Sequence, residues 1–236
     1  MKYFVISDIH GHYDVMIREL KSNNYDEKNV SHHLIVLGDL FDRGTQSKEV
    51  LDFMCKLKQE NKVTIILGNH DNFLLDFLKR DYSKLLFNIG LNGFKYTLDS
   101  LVGRELTIEE NWDEINREII NEYIHLYNFL ETMPLYFEIG EYIFTHGGID
   151  NTNGDWKNNE KRSFTWGRES NFDRIADKTV VVGHERVSSI RHPKVEQEDL
   201  FISNPEAFEI LRRDGKIFID GNVEISNKIN VLILDM

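Results

Sequence analysis

The sequence predicts an α/β fold with a largely parallel sheet, and two observations carry that reading. In roughly the first 80 residues, a short apolar run, a polar loop and an amphipathic helix follow one another three times. Such alternation is expected of parallel strands joined by helical crossovers. Each polar loop also holds residues able to ligate metal, at the edge where sheets of this kind build their sites.

The first apolar run, Tyr3 to Ile6, reads as a buried strand and ends in Ser7-Asp8-Ile9-His10-Gly11. A helical pattern through Val15, Met16 and Leu20 follows. The second run, Leu34 to Leu37, ends in Gly38-Asp39-Leu40-Phe41-Asp42-Arg43-Gly44, and the helix after it places Val50, Leu51, Met54 and Leu57 on one face. The third, Val63 to Leu67, ends in Gly68-Asn69-His70-Asp71, before a helix marked by Phe73, Leu74, Phe77 and Leu78.

From about 82 to 131 the pattern is helical, with Ile115, Ile119, Tyr123, Ile124 and Tyr127 as the expected core-facing stripe. This segment carries no evident chemistry and is expected to form a helical cap beside the site, inserted in a single domain spanning 1–236. Leu135 to Thr145 reads as a hairpin turning at Gly140-Glu141 and ending in His146-Gly147-Gly148. Thr179 to Val182 is a further strand, ending in Gly183-His184. Lys216 to Ile219 and Asn230 to Leu234 read as closing strands around a turn at Gly221-Asn222.

Composition narrows the class. With 41% apolar and 11% aromatic residues the chain can bury a core, so wholesale disorder is excluded. The formal charge of −12 argues against binding a long nucleic acid, though not against a single phosphate. The single cysteine, Cys55, lies among Leu51, Met54 and Leu57 and reads as a core residue rather than a nucleophile. The apolar part of the N-terminus is too short for a signal peptide, and no stretch approaches a membrane span, so a cytoplasmic protein without membrane partners is expected.

Five strand ends thus stop at metal-ligating residues: Asp8 with His10, Asp39, Asn69, His146 and His184. Carboxylate, imidazole and amide oxygen without thiolate suit manganese, iron or zinc. Six such ligands exceed what one ion needs, whereas two ions sharing Asp39 would use them all. Paired ions suit phosphoester cleavage, because they acidify a water and hold the phosphoryl oxygens for in-line attack. Arg43 and Arg168, with Asn69, are the expected phosphate-binding residues, since a guanidinium fork matches phosphate geometry. His70 is the expected general acid, with Asp42 orienting its other ring nitrogen. Taken singly, each Asp is more often a turn or cap residue and each His a structural one. Jointly, five accidental coincidences at five strand ends are improbable.

The motifs Ser7-Asp8-Ile9-His10-Gly11, Gly38 to Gly44 and Gly68-Asn69-His70-Asp71, followed by His146 and Gly183-His184, resemble those of the phosphoprotein-phosphatase family of calcineurin-like metallophosphoesterases. The resemblance covers most of the chain and is nearest to small bacterial and phage serine/threonine phosphatases of the lambda-phage type. It implies a β-sheet sandwich flanked by helices, two divalent metal ions, usually manganese, and a phosphoprotein or small phosphoester as substrate. The alternative is a symmetrical diadenosine tetraphosphatase or another nucleotide phosphohydrolase of the same family. That branch also ends its third motif in aspartate, as Asp71 does here, but typically lacks the aspartate corresponding to Asp42, which favours the phosphomonoesterase reading. Ser7 replaces the family's first glycine. The residues after Asp220 depart from the family's small-residue pattern, so that end is assigned no catalytic role. His12, Asp150 and Trp166 are expected near the mouth of the site without a defined task.

Overall fold

A computed structural model describes residues 1–151, 154–168 and 175–236. In its first half, β1 (Lys2–Ile6), α1 (Tyr13–Ser22), β2 (His32–Val36), α2 (Ser47–Gln59), β3 (Val63–Ile65) and α3 (Asn69–Leu78) alternate as the pattern predicts. Four helices follow: α4 (Leu85–Leu91), α5 (Phe94–Val102), α6 (Trp112–Glu122) and α7 (Leu126–Glu131). Next come β4 (Tyr136–Ile139), β5 (Tyr142–Thr145), α8 (Lys161–Trp166), β6 (Thr179–Val182), α9 (Val187–Arg191) and α10 (Gln197–Ser203). The chain closes with β7 (Leu211–Arg213), β8 (Lys216–Phe218), α11 (Val223–Ser226) and β9 (Leu232–Asp235).

The strands form two sheets, ordered β3-β2-β1-β9 and β4-β5-β6-β8-β7. In the first, β1, β2 and β3 are parallel and β9 runs antiparallel to β1. In the second, β5, β6 and β8 are parallel, with β4 and β7 antiparallel at the two edges. The strand alternation decides which core each residue joins. Val5, Ile35 and Leu37 point toward Phe144, Val181 and Ile217 of the other sheet, forming the core between the layers. Phe4, Ile6, Leu34 and Val36 point away, into the core shared with the helices. Ile143, Val180, Val182 and Phe218 do the same on the outer face of the second sheet, against Trp156 and Phe164. Completely buried side chains such as Phe4 and Phe144 each contribute about 1.5–3 kcal/mol over an exposed state, which fixes the register of both sheets. The result is the predicted sandwich flanked by helices.

Three details differ from the expectation. Ile124 is 73% and Tyr127 41% exposed, because the helix that buries Ile115 and Ile119 stops at Glu122. After the break, Leu126, Phe129 and Leu130 take the inward positions on α7. The two closing strands belong to different sheets, β8 to the second and β9 to the first, and α11 lies between them. The edge strand β7, paired with β8, was not anticipated. The helical segment from α4 to α7 contributes Phe94, Leu98, Leu101, Ile119 and Leu130 to the main core. Cys55 packs half-buried against that same core. Among the described residues no helix is long and apolar enough to cross a membrane.

Candidate dinuclear metal site

The parallel strands of both sheets end at one edge. Asp8 and His10 follow β1, Asp39 follows β2, Asn69 opens α3 after β3, His146 follows β5 and His184 follows β6. Backbone bonds stitch the loops: His10 N–H donates to Asp39 O at 2.9 Å, and Gly183 N–H to His146 O at 2.9 Å. The two sheets are joined where His184 N–H donates to the Asp8 carboxylate at 3.0 Å. That approach requires Gly183, since a β-carbon there would strike the side chains of Ser7 and Asp8. Ser7, in place of the family glycine, puts its hydroxyl against the Asp8 carboxylate.

Six site residues other than glycine hold left-handed backbone: Asp8, His10, Asp39, Asp42, Arg43 and His184, with φ between 46° and 75°. Each costs on the order of 1–3 kcal/mol, a strain sustained by the packed sheets beneath and typical of functional loops. Asp71 offsets part of it. Its buried carboxylate accepts backbone N–H groups from Asp39 (2.9 Å), Leu40 (2.8 Å) and Gly68 (2.8 Å), tying the second and third motifs together.

Asp39 divides its oxygens. Oδ2 lies 3.7 Å from His10 Nε2, and Oδ1 lies 3.4 Å from His146 Nε2. His10 Nδ1 donates to Phe41 O at 2.9 Å and His146 Nδ1 to Leu37 O at 2.6 Å, so both rings turn Nε2 toward Asp39. Asp8 Oδ1 lies 3.9 Å from His10 Nε2, and Asn69 Oδ1 lies 2.9 Å from His146 Nε2. Two compact groups result: His10, Asp39 and His70, and Asp39, His146 and His184. His184 Nε2 is buried and has no hydrogen-bond partner among the described residues.

The electrostatics fit a cationic occupant. Burial, and next the neighbouring Asp220, push the Asp8 carboxyl up to about 8, the response of crowded carboxylates with too little positive charge near them. Burial and the neighbouring His146 push His184 down to about 3, which keeps its imidazole neutral and able to ligate. Burial also holds His10 well below the ordinary histidine value. Burial works against a charged His146 too, yet Asp39 and Asp8 outweigh it and raise that ring to about 10, so a metal ion there displaces a proton. Donor type, the Nε2 of His184 left without a partner among the described residues and side-chain separations of 3.4 to 3.9 Å suit hard or borderline divalent metal ions.

Asp8, His10, Asp39, Asn69 and His184 floor a cleft of about 350 Å³ that also presents Arg43, His70, Trp166 and Arg168. His70 Nδ1 donates to Asp42 Oδ2 at 2.7 Å, and its Nε2 lies 3.3 Å from Arg43 Nη2. Phe73 packs against the His70 ring at 4.9 Å, and Trp166 packs against Phe73 at 6.1 Å and His184 at 5.7 Å. Asp8, His10, Asp39, Arg43, Asn69, His70, Arg168 and His184 therefore line this cleft, while Asp42 and His146 are completely buried behind it. His12 does not line it, because its ring bonds back to Ile9 O at 3.2 Å. Asp150 stands outside it as well, bonded through its backbone to Asn159.

Sequence reasoning missed three residues. Asp220 is buried and lines the cleft beside the carboxylates of Asp8, Asp39 and Glu185. It follows the apolar run of β8 as Asp8 follows β1, a strand-end signal present in the sequence even though the residues after it depart from the family's small-residue pattern. Arg186 lines the cleft two residues after His184 and shares Glu224 Oε2 with Arg43, at 3.0 and 2.8 Å. Thr97 on α5 accepts from Asp42 N–H at 2.7 Å and donates to Asp42 Oδ1 at 2.7 Å. The helical middle segment thus supports the chemistry directly.

Over 157 residues the chain is 33% identical to the asymmetrical bis(5'-nucleosyl)-tetraphosphatase PrpE of Bacillus velezensis, covering 63% of this chain and 57% of that protein. The chain therefore matches less than two thirds of that relative's length. A crystal structure provisionally named as a diadenosine tetraphosphatase superposes with a TM-score of 0.59 at 15% identity, covering 99% of this chain and 89% of that one. The cold-active protein-tyrosine phosphatase of a psychrophilic Shewanella species gives 0.56 at 19% identity, with 99% and 75% covered. These two structures share the fold. The family model described as calcineurin-like phosphoesterase matches residues 1–216, a span that holds all six candidate ligands but not Asp220. With two sheets whose parallel strands meet over a divided aspartate, the chain belongs to the calcineurin-like phosphoesterase family.

Proposed function

We propose that this metallophosphoesterase hydrolyses dinucleoside polyphosphates, and that its ligand set (Asp8, His10, Asp39, Asn69, His146 and His184) holds two divalent ions, manganese first among them. The observation carrying the substrate class is the number of guanidinium groups. Arg43, Arg168 and Arg186 all line one cleft of about 350 Å³, more cationic reach than a single phosphomonoester needs. The identity to an asymmetrical bis(5'-nucleosyl)-tetraphosphatase supports the same reading. It reverses the order suggested by the motifs alone, in which a phosphoprotein came first.

The bound ions supply Lewis-acid activation of the phosphoryl group and of the attacking water. The chain's own residues supply the rest. Arg43 and Arg168 hold the non-bridging oxygens of the scissile phosphoryl group, leaving Arg186 for the next phosphate. The water oxygen forms its bond to phosphorus as the bond to the leaving oxygen breaks. His70, oriented by Asp42, delivers a proton from Nε2 to that oxygen. Trp166 walls the cleft and limits solvent around the reacting atoms.

Retention of Asp42 favours a second reading, a phosphomonoesterase acting on phosphoserine or phosphothreonine. The deciding experiment compares kcat/KM of manganese-reconstituted protein for diadenosine tetraphosphate and for a phosphoserine peptide. Preference for the dinucleotide supports the proposal, and preference for the peptide overturns it. Chromatography of the products separates asymmetric cleavage, giving tri- and monophosphate, from symmetric cleavage, giving diphosphate alone.

A further inference from the structure

The arginines do not close the cleft. Beyond Arg43 and Arg186 lies a second pocket of about 560 Å³, which shares those two arginines and Asn92 with the metal-lined cleft. Its character is different. Besides the carboxylates of Glu105 and Glu224 and the amine of Lys95, it presents Ile89, Leu91 and Tyr96, from the corner between α4 and α5, and none of the histidines that line the first cleft. Leu91 is 74% and Tyr96 47% exposed, large apolar groups set beside a highly charged site.

The corner is held in register with the phosphate clamp. Gly93 O accepts from Arg43 N–H at 3.2 Å. Gly93 itself has a left-handed φ of 72°, and a β-carbon there would strike the Arg43 backbone. At the seam between the two pockets, one oxygen of Glu224 holds Arg43 and Arg186 together, at 2.8 and 3.0 Å. Each guanidinium has five N–H groups, so both keep donors free of that carboxylate to face a phosphate chain.

We infer that the second pocket takes the nucleoside end of a polyphosphate substrate, with the base lying on Tyr96 and Leu91 and the phosphates crossing the seam at Arg43 and Arg186. The assignment rests on the dinucleoside-polyphosphate reading and extends it by naming what selects the nucleoside. An aromatic face beside paired guanidiniums is the combination that stacks a base while neutralising its phosphates.

The test uses the full chain with manganese, follows p-nitrophenyl phosphate hydrolysis, and holds free metal constant. Adenosine triphosphate and inorganic tripolyphosphate are compared as inhibitors, with calorimetric titration of the same two compounds as a second readout. The wild type is expected to bind adenosine triphosphate about tenfold more tightly than tripolyphosphate, the scale of one stacked base. Tyr96→Ala, at an exposed position, should bring the two to the same level and leave kcat/KM for the aryl phosphate unchanged. Arg186→Ala should weaken both inhibitors alike. Equal binding of the two compounds by the wild type, or an unchanged preference in Tyr96→Ala, overturns the pocket. Turnover of diadenosine tetraphosphate, measured alongside, separates the two claims. A chain that prefers adenosine triphosphate but ignores the dinucleotide keeps the pocket and loses the parent reading. Turnover without nucleoside preference does the reverse.

Discussion

His70 and Asp42 are joined by a 2.7 Å hydrogen bond from the ring Nδ1 to a completely buried carboxylate, which leaves Nε2 facing the cleft. Burial disfavours a charged ring, yet Asp39 and Asp42 outweigh it and raise the His70 pKa above the ordinary value. In the proposed acid role, the ring thus stays protonated to a higher pH than a free histidine. His70→Ala is expected to lower kcat/KM for an alkyl phosphate by about 10²–10⁴, and to do so much less for p-nitrophenyl phosphate or a polyphosphate, whose leaving groups need little acid help. Metal content should stay at the wild-type value. Equal losses on both substrate types would remove His70 from the acid role.

Thr97 is tied to Asp42 by two 2.7 Å hydrogen bonds, one in each direction. Thr97→Val keeps the shape and removes both, stranding a buried N–H and one carboxylate oxygen. The expected cost is about 1–3 kcal/mol, or a Tm lowered by roughly 2–12 °C for a chain of this size. Because Asp42 then loses its fixed orientation, activity on alkyl phosphates should fall while aryl phosphate turnover is largely spared. Calorimetry with steady-state kinetics on the two substrates checks both halves.

Asp39 and Asp220 are both buried carboxylates at the cleft, yet they differ in reach. Asp39 faces both histidine groups, whereas Asp220 acts on Asp8 through its charge. Asp39→Ala should abolish binding of both ions. Asp220→Asn should retain them with weaker affinity, about tenfold by the scale on which neighbouring groups tune a metal site. Metal analysis and calorimetric titration with manganese distinguish the two outcomes. An Asp220→Asn protein that binds no manganese would make Asp220 a direct ligand.

Asp71 binds three backbone N–H groups that belong to the two central motifs. Asp71→Ala leaves all three buried without an acceptor, at about 1–3 kcal/mol each, enough to threaten a domain of ordinary stability. The expected result is a Tm lower by more than 6 °C. Asp71→Asn, which keeps an acceptor oxygen, should recover part of that loss. A metal defect without any loss of stability would show that Asp71 matters only through charge.

How far this site was readable follows from where its information lies. Asp8, Asp39 and His184 sit directly after apolar runs, so periodicity alone located them and the parallel pairing brought them together. Thr97 was invisible because it lies 55 positions from Asp42 on a helix with no motif, and only packing brings them into contact. Ile124 and Tyr127 were misread because the chain breaks between α6 and α7 without glycine or proline to mark the stop. Asp220 obeys the same strand-end rule as Asp8, and the departure of the residues after it from the family pattern hides that signal.

Gly183 tests whether the two sheets meet at the metal site or merely near it. Its α-carbon lies where β6 approaches the Ser7–Asp8 turn, and an added methyl group would overlap both of those side chains. The surrounding sheets are fully packed and cannot retreat, so the strain must fall on the loops, whose left-handed Asp8 and His184 are already unfavourable. Gly183→Ala should therefore shift Asp8 and His184 apart, lower the manganese content and reduce activity more than it reduces Tm. Gly90→Ala is the control, because it lies within α4 with open space around its α-carbon. In a helix that change is neutral or stabilising by up to about 1 kcal/mol. Should Gly183→Ala retain full metal occupancy, the contact between β6 and Asp8 would be packing alone, and the cross-sheet hydrogen bond from His184 to Asp8 would have no part in holding the ions.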